Sequence, residues 1–305
     1  MPNMKGLSQN KGRHTGLPLQ TVQNATPSGR HLLRQPPFPP QPHSAYIWVD
    51  THAHLFDYTD NDLGALIDEA IAAGVATIVN TAVSIDTART VLSQCKKFPN
   101  VLKPAVGISP FDSVDVKNGW DDELKTLVNN NNSQPNEPPI IAIGEIGLDN
   151  TNPIYPSLDI QLPIFKKQLE IANDANLPVI IHSRGMEKQT AEICSGLNVT
   201  KAIFHCFTGD KESLDYIINC GYYISIPGIV TYKNSHLRDL IRHIPINRLL
   251  IETDAPYLSP APHRGKPNKP PFLIHTAKYI AELLDIDEAK LAKALLENVI
   301  RVFDS

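Results

Sequence analysis

The sequence predicts an α/β fold, a TIM-like (β/α)8 barrel, and three observations point to it. Short apolar runs rich in β-branched residues alternate with longer amphipathic segments, and eight such units follow one another over about 260 residues. Continuous apolar strands separated by helices are typical of a parallel sheet that is covered on both faces. Polar residues with catalytic potential follow several of the strands, where a barrel places its active site. A doubly wound open sheet is the alternative fold.

Each predicted element is read from this alternation. The predicted strands are Tyr46–Val49, Ala76–Val79, Val101–Val106, Ile140–Ile143, Val179–Ile181, Ala202–Phe204, Tyr222–Ile226 and Leu249–Ile251. The predicted helices are Leu63–Ala73, Thr87–Lys97, Leu158–Asn173, Glu187–Ser195, Lys211–Asn219, Phe272–Leu284 and Asp287–Val302. Asn129–Pro139 is predicted to be a low-complexity loop inserted on the helix side.

The chain divides into an N-terminal extension, residues 1–45, and a barrel domain, residues 46–305. The extension is rich in Pro and Gln, and such composition predicts an extended or disordered segment. Its lack of acidic residues also resembles an organellar transit peptide, so the expected location is cytoplasmic, with an organelle as the alternative. The four cysteines show no CxxC spacing, which favours free thiols in a reducing compartment.

Charge is distributed unevenly. Residues 1–49 hold five of the 28 Lys and Arg residues and none of the 32 acidic ones, so the remainder has a net charge of −9. An acidic body disfavours general nucleic-acid binding, which depends on Lys and Arg neutralising phosphates. No apolar run of about 18 residues occurs, so no membrane association is expected.

Residues suited to metal binding follow five of the predicted strands. His52 and His54 come after the first, and alternate positions on an extended segment point the same way, so both imidazoles can reach one ion. A structural role for this pair alone would be the better interpretation, but further histidines and carboxylates follow other strands. The candidate metal ligands are His52, His54, Glu145, His182, His205 and Asp254.

The two carboxylates suit different tasks. Glu145 has two oxygens and can bridge two cations, with a turn or capping role as the alternative. Asp254 can bind a metal and also accept a proton from an attacking water, and is the candidate catalytic base. Nitrogen and oxygen ligands favour Zn²⁺, Mn²⁺, Fe²⁺ or Co²⁺ over Mg²⁺, without choosing among them.

Two arginines are candidate substrate ligands. Arg264 lies in a Pro-rich loop after the last strand, and Arg184 follows His182; arginine offers bidentate donors to phosphate. For both, an exposed structural role is the alternative. Aromatic residues near the loops are candidates for stacking on bases or for buried packing: Phe56, Phe111, Phe207 and Tyr257.

From about Tyr46 to Ser305 the chain resembles the TatD family of metal-dependent deoxyribonucleases. The motifs that carry the resemblance are VDTHAHLF (49–56), GEIGLD (144–149), QLPIFKKQLEIANDANLPVIIHSR (161–184), FHCFTGD (204–210), IETDAPYLSP (251–260) and RGKPN (264–268). The resemblance implies two divalent cations, one held by His52, His54, Glu145 and Asp254 and the other by Glu145, His182 and His205. It also implies hydrolysis of DNA phosphodiester bonds, typically as an exonuclease.

The chain departs from the family pattern after the third strand. Family members usually carry G-[IV]-H-P-H, whereas this chain has Ser109 and Phe111 in place of both histidines. The first histidine lies near the substrate phosphate in the family pattern, so substrate preference is affected while the metal ligands are complete.

The expected function is therefore deoxyribonuclease activity on single-stranded DNA or 3′ ends by a monomeric enzyme without an obligate protein partner. One alternative is an amidohydrolase-like barrel acting on a small-molecule ester or amide. Another is a barrel without activity that serves in binding.

Overall fold

The computed structural model describes residues 46–304, so the predicted extension over residues 1–45 lies outside the described residues. Eight parallel strands form one sheet in which each strand pairs with the next along the chain. The strands are β1 Trp48–Ala53, β2 Val75–Thr81, β3 Leu102–Val106, β4 Ala142–Asp149, β5 Val179–Arg184, β6 Ala202–Phe204, β7 Tyr223–Ile226 and β8 Leu249–Ile251. The predicted barrel is confirmed, and the open-sheet alternative is wrong.

Helices connect the strands on the outside. They are α1 Asp60–Ala72, α2 Ile85–Lys97, α3 Trp120–Ser133, α4 Leu158–Asp174, α5 Glu187–Gly196, α6 Lys211–Asn219, α7 Leu237–Leu240, α8 Leu273–Leu284 and α9 Glu288–Phe303. Short 3₁₀ helices cover Phe111–Asp115, Gly228–Thr231, Ile241–His243, Ile246–Arg248 and Pro270–Phe272. Among the described residues, no helix has both the length and the apolar content needed to cross a bilayer.

The barrel closes between β1 and the segment after β8. Ala53 forms a parallel bridge with Ala255, and the amide of His54 donates to the carbonyl of Ala255 over 2.7 Å. The amide of Asp254 donates in turn to the carbonyl of His52 over 2.9 Å. Closure therefore brings the first and last polar segments together at the carboxyl ends of the strands.

The core has two layers separated by the sheet. Apolar side chains inside the barrel pack with residues of α9: Val49, Val79, Ala105, Ile180, Ile203 and Leu250 with Val299, Val302 and Phe303. The outer faces of the strands pack on the surrounding helices in a larger apolar cluster. Because α9 packs on the inner layer near the start of the strands, the opposite, carboxyl-terminal mouth is left for polar side chains.

Local sequence sets where several helices begin. Ser84 and Thr87 form a reciprocal capping box at the start of α2, and Asp210 accepts a hydrogen bond from the amide of Ser213 at α6. Asp287 caps α9 by accepting from the amide of Lys290. Such side chains satisfy amides that have no partner within the first helical turn.

Three strands extend well beyond their predicted ends, and β2 extends slightly, to Thr81. β1 ends at Ala53, β4 at Asp149 and β5 at Arg184, each several residues beyond the predicted end. The predicted ends followed apolar character, but backbone pairing continues into the polar residues that line the mouth. Gly147 pairs with His182 there, and a Cβ at Gly147 would lie 1.8 Å from the carbonyl oxygen of His182, so only glycine allows this approach.

Helix α3 was not predicted, and the predicted loop at Asn129–Pro139 is wrong over its first five residues, which form the end of this helix. Its buried residues Leu124, Val128 and Asn131 recur at helical spacing. Asn131 donates from Nδ2 to the carbonyl of Leu127, so packing and this bond outweigh the weak helix propensity of the asparagine run.

Candidate metal centre

Six side chains meet at the carboxyl-terminal mouth of the barrel, and they are the six predicted metal ligands. All are buried or nearly so, and they come from or directly follow β1, β4, β5, β6 and β8. Parallel strands in a barrel bring their carboxyl ends together, so residues separated by about 200 positions become neighbours.

One group of donor atoms lies around the histidines of β1. The Nε2 atoms of His52 and His54 are 3.1 Å apart. Oε2 of Glu145 lies 3.4 Å from Nε2 of His52 and 3.2 Å from Nε2 of His54. Oδ1 of Asp254 lies 3.8 and 3.6 Å from the same two nitrogens. His52, His54 and Glu145 therefore form one set of close donors, and Asp254 forms another with His52 and His205.

A second group lies on the other side of Glu145. Its Oε1 is 2.8 Å from Nδ1 of His182 and 3.4 Å from Nε2 of His205. Those two imidazole nitrogens are 3.4 Å apart. Glu145 therefore directs one carboxylate oxygen to each group.

The chemistry of these donors fits divalent cations. Neutral imidazole nitrogens present lone pairs, and buried lone pairs this close need a proton or a cation between them. The His52 and His205 rings also stack, with centroids 3.9 Å apart, so the two groups of donors are in direct contact. Histidine nitrogen with carboxylate oxygen is a donor set that suits Zn²⁺, Mn²⁺ or Fe²⁺.

Burial and mutual charge shift the pKa of several groups at this centre. Burial, followed by repulsion from His205, lowers the pKa of His52 to about 3, so this imidazole is neutral and able to bind a cation. Burial also opposes charge on His205, but the field of Glu145 outweighs it and raises the pKa of His205 to about 10, so a cation that binds this imidazole has to displace its proton. Burial raises the pKa of Asp254 to about 6.

The backbone at Asp254 is held in a special conformation. Its φ of 57° lies in the left-handed region, which aspartate tolerates better than most residues. The residue before it, Thr253, donates from its amide and its hydroxyl to the buried carboxylate of Asp50 in β1, over 2.8 and 2.5 Å. Bonds across the barrel closure therefore fix the direction in which the Asp254 carboxylate points.

Two carboxylates that were not predicted as site residues lie beside the histidines. Oδ2 of Asp149 lies 2.9 Å from Nε2 of His182, so the opposite nitrogen, Nδ1, faces Glu145. Such a hydrogen-bonded partner fixes the orientation of an imidazole ligand. Oε1 of Glu252 accepts a hydrogen bond from the amide of Cys206 and lies 3.5 Å from Nδ1 of His205, beyond an ordinary hydrogen bond. Glu252 stands two positions from the predicted ligand Asp254, and Asp149 lies in the same motif as Glu145. This proximity in sequence is the feature that could have identified both acids as site residues.

The two arginines predicted to bind substrate lie in different surroundings. Arg184 is half-buried, and although burial lowers its pKa, the nearby Cys206, Asp254 and Glu145 raise it above the usual value. Arg264 is exposed, with its guanidinium 4.4 Å from the centroid of the Tyr232 ring. Arg184 therefore lies in the field of the centre, whereas Arg264 stacks on an aromatic ring of the rim. Their contact with substrate stays a prediction.

The positions that lack the expected histidines are occupied differently. Ser109 donates from Oγ to Oδ2 of Asp112 over 2.6 Å, and Phe111 begins the following 3₁₀ helix with half of its surface exposed. Of the other aromatic candidates, Phe207 is buried, while Phe56 and Tyr257 each lie against the His54 ring, with centroids 5.7 and 6.2 Å away.

A parallel barrel with a buried histidine and carboxylate cluster at its carboxyl-terminal mouth defines a metal-dependent hydrolase. Comparison with known proteins narrows this class. The family described as TatD related DNase matches residues 49–304, and the chain belongs to the TatD family.

Relatives support this assignment over nearly their whole length. The chain is 34% identical to YabD of Bacillus subtilis over 261 residues, which cover 83% of this chain and 98% of YabD. It is 32% identical to YcfH of Escherichia coli K12, over 84% of this chain and 95% of YcfH. Both are described as uncharacterized metal-dependent hydrolases. The crystal structure of YjjV, a TatD homologue from E. coli K12, superposes with a TM-score of 0.77 at 29% identity, over 84% of this chain and 97% of YjjV.

Proposed function

We propose that the chain hydrolyses phosphodiester bonds of DNA with two divalent cations, acting as an exonuclease on single strands or 3′ ends. The observation that carries the proposal is the placement of Glu145, which directs Oε2 towards His52 and His54 and Oε1 towards His182 and His205. A carboxylate with one oxygen in each group suits the bridging position of a two-metal site. The TatD family to which the chain belongs supports DNA as the substrate.

When bound, the cations supply Lewis acidity and activate water. The residues of the chain then have separate roles. Oδ1 of Asp254 faces the His52 and His54 group and accepts the proton of the attacking water. Arg184 lies in the field of the same centre and stabilises charge on the phosphoryl oxygens. Arg264 holds the strand from the rim through a phosphate contact.

The proposal also accounts for the acidity of the domain. The chain beyond residue 49 carries 23 basic and 32 acidic residues. Protein side chains alone would repel a phosphate backbone, so positive charge has to be supplied at the centre. Two divalent cations bring that charge to the place where the phosphate reacts.

The test is a purified protein analysed for bound metal and then assayed on end-labelled single- and double-stranded DNA with Mg²⁺, Mn²⁺ or Zn²⁺. Metal-dependent release of nucleotides is expected, and Asp254→Asn is expected to lower kcat by at least about 100-fold because it removes both a ligand and the base. Asp239→Asn, at an exposed aspartate in α7, is the matched control and should retain wild-type activity.

Three results would contradict the proposal in different ways. An Asp254→Asn variant that keeps more than about a tenth of wild-type activity would rule out the base role. Hydrolysis of ester or lactam substrates without hydrolysis of DNA would favour an amidohydrolase-like activity. Protein that binds no metal and has no activity would favour a barrel that serves only in binding.

A further inference from the structure

An exposed aromatic pair extends outward from the metal centre. Phe111 is 51% exposed, an unusual state for a phenylalanine. Its ring meets that of Tyr155 edge to face, with centroids 5.9 Å apart and planes at 86°. Tyr155 belongs to the loop between β4 and α4, so two separate loops build this pair.

The pair is continuous with the centre. The Tyr155 ring lies 6.0 Å from the ring of His182, in a tilted arrangement. His182 directs its Nδ1 to Glu145, so Tyr155 connects the proposed cation site to the exposed ring of Phe111. A strand that is bound at the centre and runs over this side of the mouth would bring the nucleoside next to its reacting phosphate over these two rings.

The loop after β3, which carries Phe111, has few groups that could bind a phosphate. The hydroxyl of Ser109 already donates to Asp112, whose carboxylate adds negative charge. Val114 of the same 3₁₀ helix and Ile154 of the facing loop are apolar and exposed, at 57% and 64%, and the exposed Asp115 adds a second carboxylate to this helix. This side of the mouth therefore suits an uncharged, planar group better than a phosphate.

We propose that Phe111 and Tyr155 form a stacking platform for an unpaired nucleobase next to the scissile phosphate and so determine the specificity for unpaired DNA. The inference rests on the proposed function, because the platform is defined by its distance from the cation site. Every base has an aromatic face, so stacking tolerates any sequence. In a duplex these faces are covered by neighbouring pairs, and only an unpaired or terminal base can stack on a protein ring.

The test compares two oligonucleotides that have the same phosphates. One is single-stranded DNA with 2-aminopurine near the 3′ end, and the other carries abasic residues at the corresponding positions. Phe111→Ala is expected to raise KM for the first by about 5- to 150-fold with little change in kcat, and to leave KM for the abasic strand unaltered. Phe111→Trp should retain the wild-type KM, and Ile160→Ala, at an exposed apolar residue of α4, is the matched control.

Binding is measured separately from hydrolysis. Quenching of 2-aminopurine by the wild type and its loss in Phe111→Ala would support stacking even if no strand were cleaved, which separates this inference from the proposed activity. Normal DNA cleavage with equal KM for wild type and Phe111→Ala, or with an equal effect on the abasic strand, would overturn the platform while leaving the nuclease intact.

Discussion

Replacing Asp149 with asparagine tests how the centre holds one of its two groups of ligands. Asp149 is buried, and its Oδ2 lies 2.9 Å from Nε2 of His182. Burial disfavours the carboxylate, but the bond with His182 and the two bonds from Thr151 together outweigh it and lower the pKa of Asp149 to about 2, so the group is charged at neutral pH. An asparagine of the same shape keeps the volume and removes the charge.

Loss of such a partner typically costs about 10- to 100-fold in metal affinity. This corresponds to about 1.4 to 2.7 kcal/mol of binding free energy. The cost should fall on the group of His182 and His205, because the His52 and His54 group has no contact with Asp149 among the described residues. Titration with Mn²⁺ by calorimetry should therefore show one weakened step and one unaltered step.

Asp149 also accepts two bonds from Thr151 through Oδ1, from the amide over 2.9 Å and from the hydroxyl over 2.7 Å. Thr151→Val is consequently the matched control, since it removes the hydroxyl bond and spares Oδ2. Equal weakening of both binding steps in Asp149→Asn, or equal effects of Asp149→Asn and Thr151→Val, would refute the orienting role.

Four further predictions concern stability and reactivity. Gly147→Ala should cost about 3 kcal/mol or more of unfolding free energy in urea, because its Cβ would collide with the His182 carbonyl 1.8 Å away; a smaller loss would mean that β4 and β5 separate easily. Removal of cations with a chelator should destabilise the fold by about 2.7 kcal/mol for each cation that was present at 100 times its Kd, and an unchanged melting temperature would count against bound cations. Iodoacetamide should modify half-buried Cys220 in the native protein and spare Cys95, Cys194 and Cys206, because these thiols are buried and burial raises their pKa. Peptide mass mapping would show which thiols are modified, and modification of the three buried thiols at the rate of Cys220 would contradict this. Burial and then the charge of His263 lower the pKa of His275 below 6.5, so the unfolded chain binds the proton more tightly and the free energy of unfolding should fall as the pH drops below 6.5. In urea unfolding, His275→Gln should lose less of this free energy at low pH than the wild type. Identical pH profiles for the two proteins would contradict this.

The strand and helix order followed from local patterns. The apolar run at Ala202–Phe204 appears in the structure with the same ends, and the amphipathic segment Leu158–Asn173 appears one residue longer. Strand ends were less accurate, because hydrophobicity stops where the mouth of the barrel begins while the backbone ladder continues. Helix α3 was missed because its asparagine-rich end has weak propensity, and only packing of residues such as Leu124 reveals its buried face.

The residues of the candidate centre were also readable from the sequence. The sequence places His52 and His54 on an extended segment and single imidazoles after two other strands. This pattern predicts a cation site from residue type and position alone. Histidines and acids at strand ends have no role in an apolar core, so residue type and position were sufficient to select them.

The role of each residue at the centre depended on the tertiary structure. Which oxygen of Glu145 faces which histidines follows from strand register and barrel closure, and neither is encoded in a local pattern. The orienting bond of Asp149 and the exposure of Phe111 depend in the same way on side chains that are distant in sequence. The six residues of the candidate centre were thus determined by the sequence itself, and only folding decided how their donor atoms are arranged around Glu145 and His52 and what surrounds them.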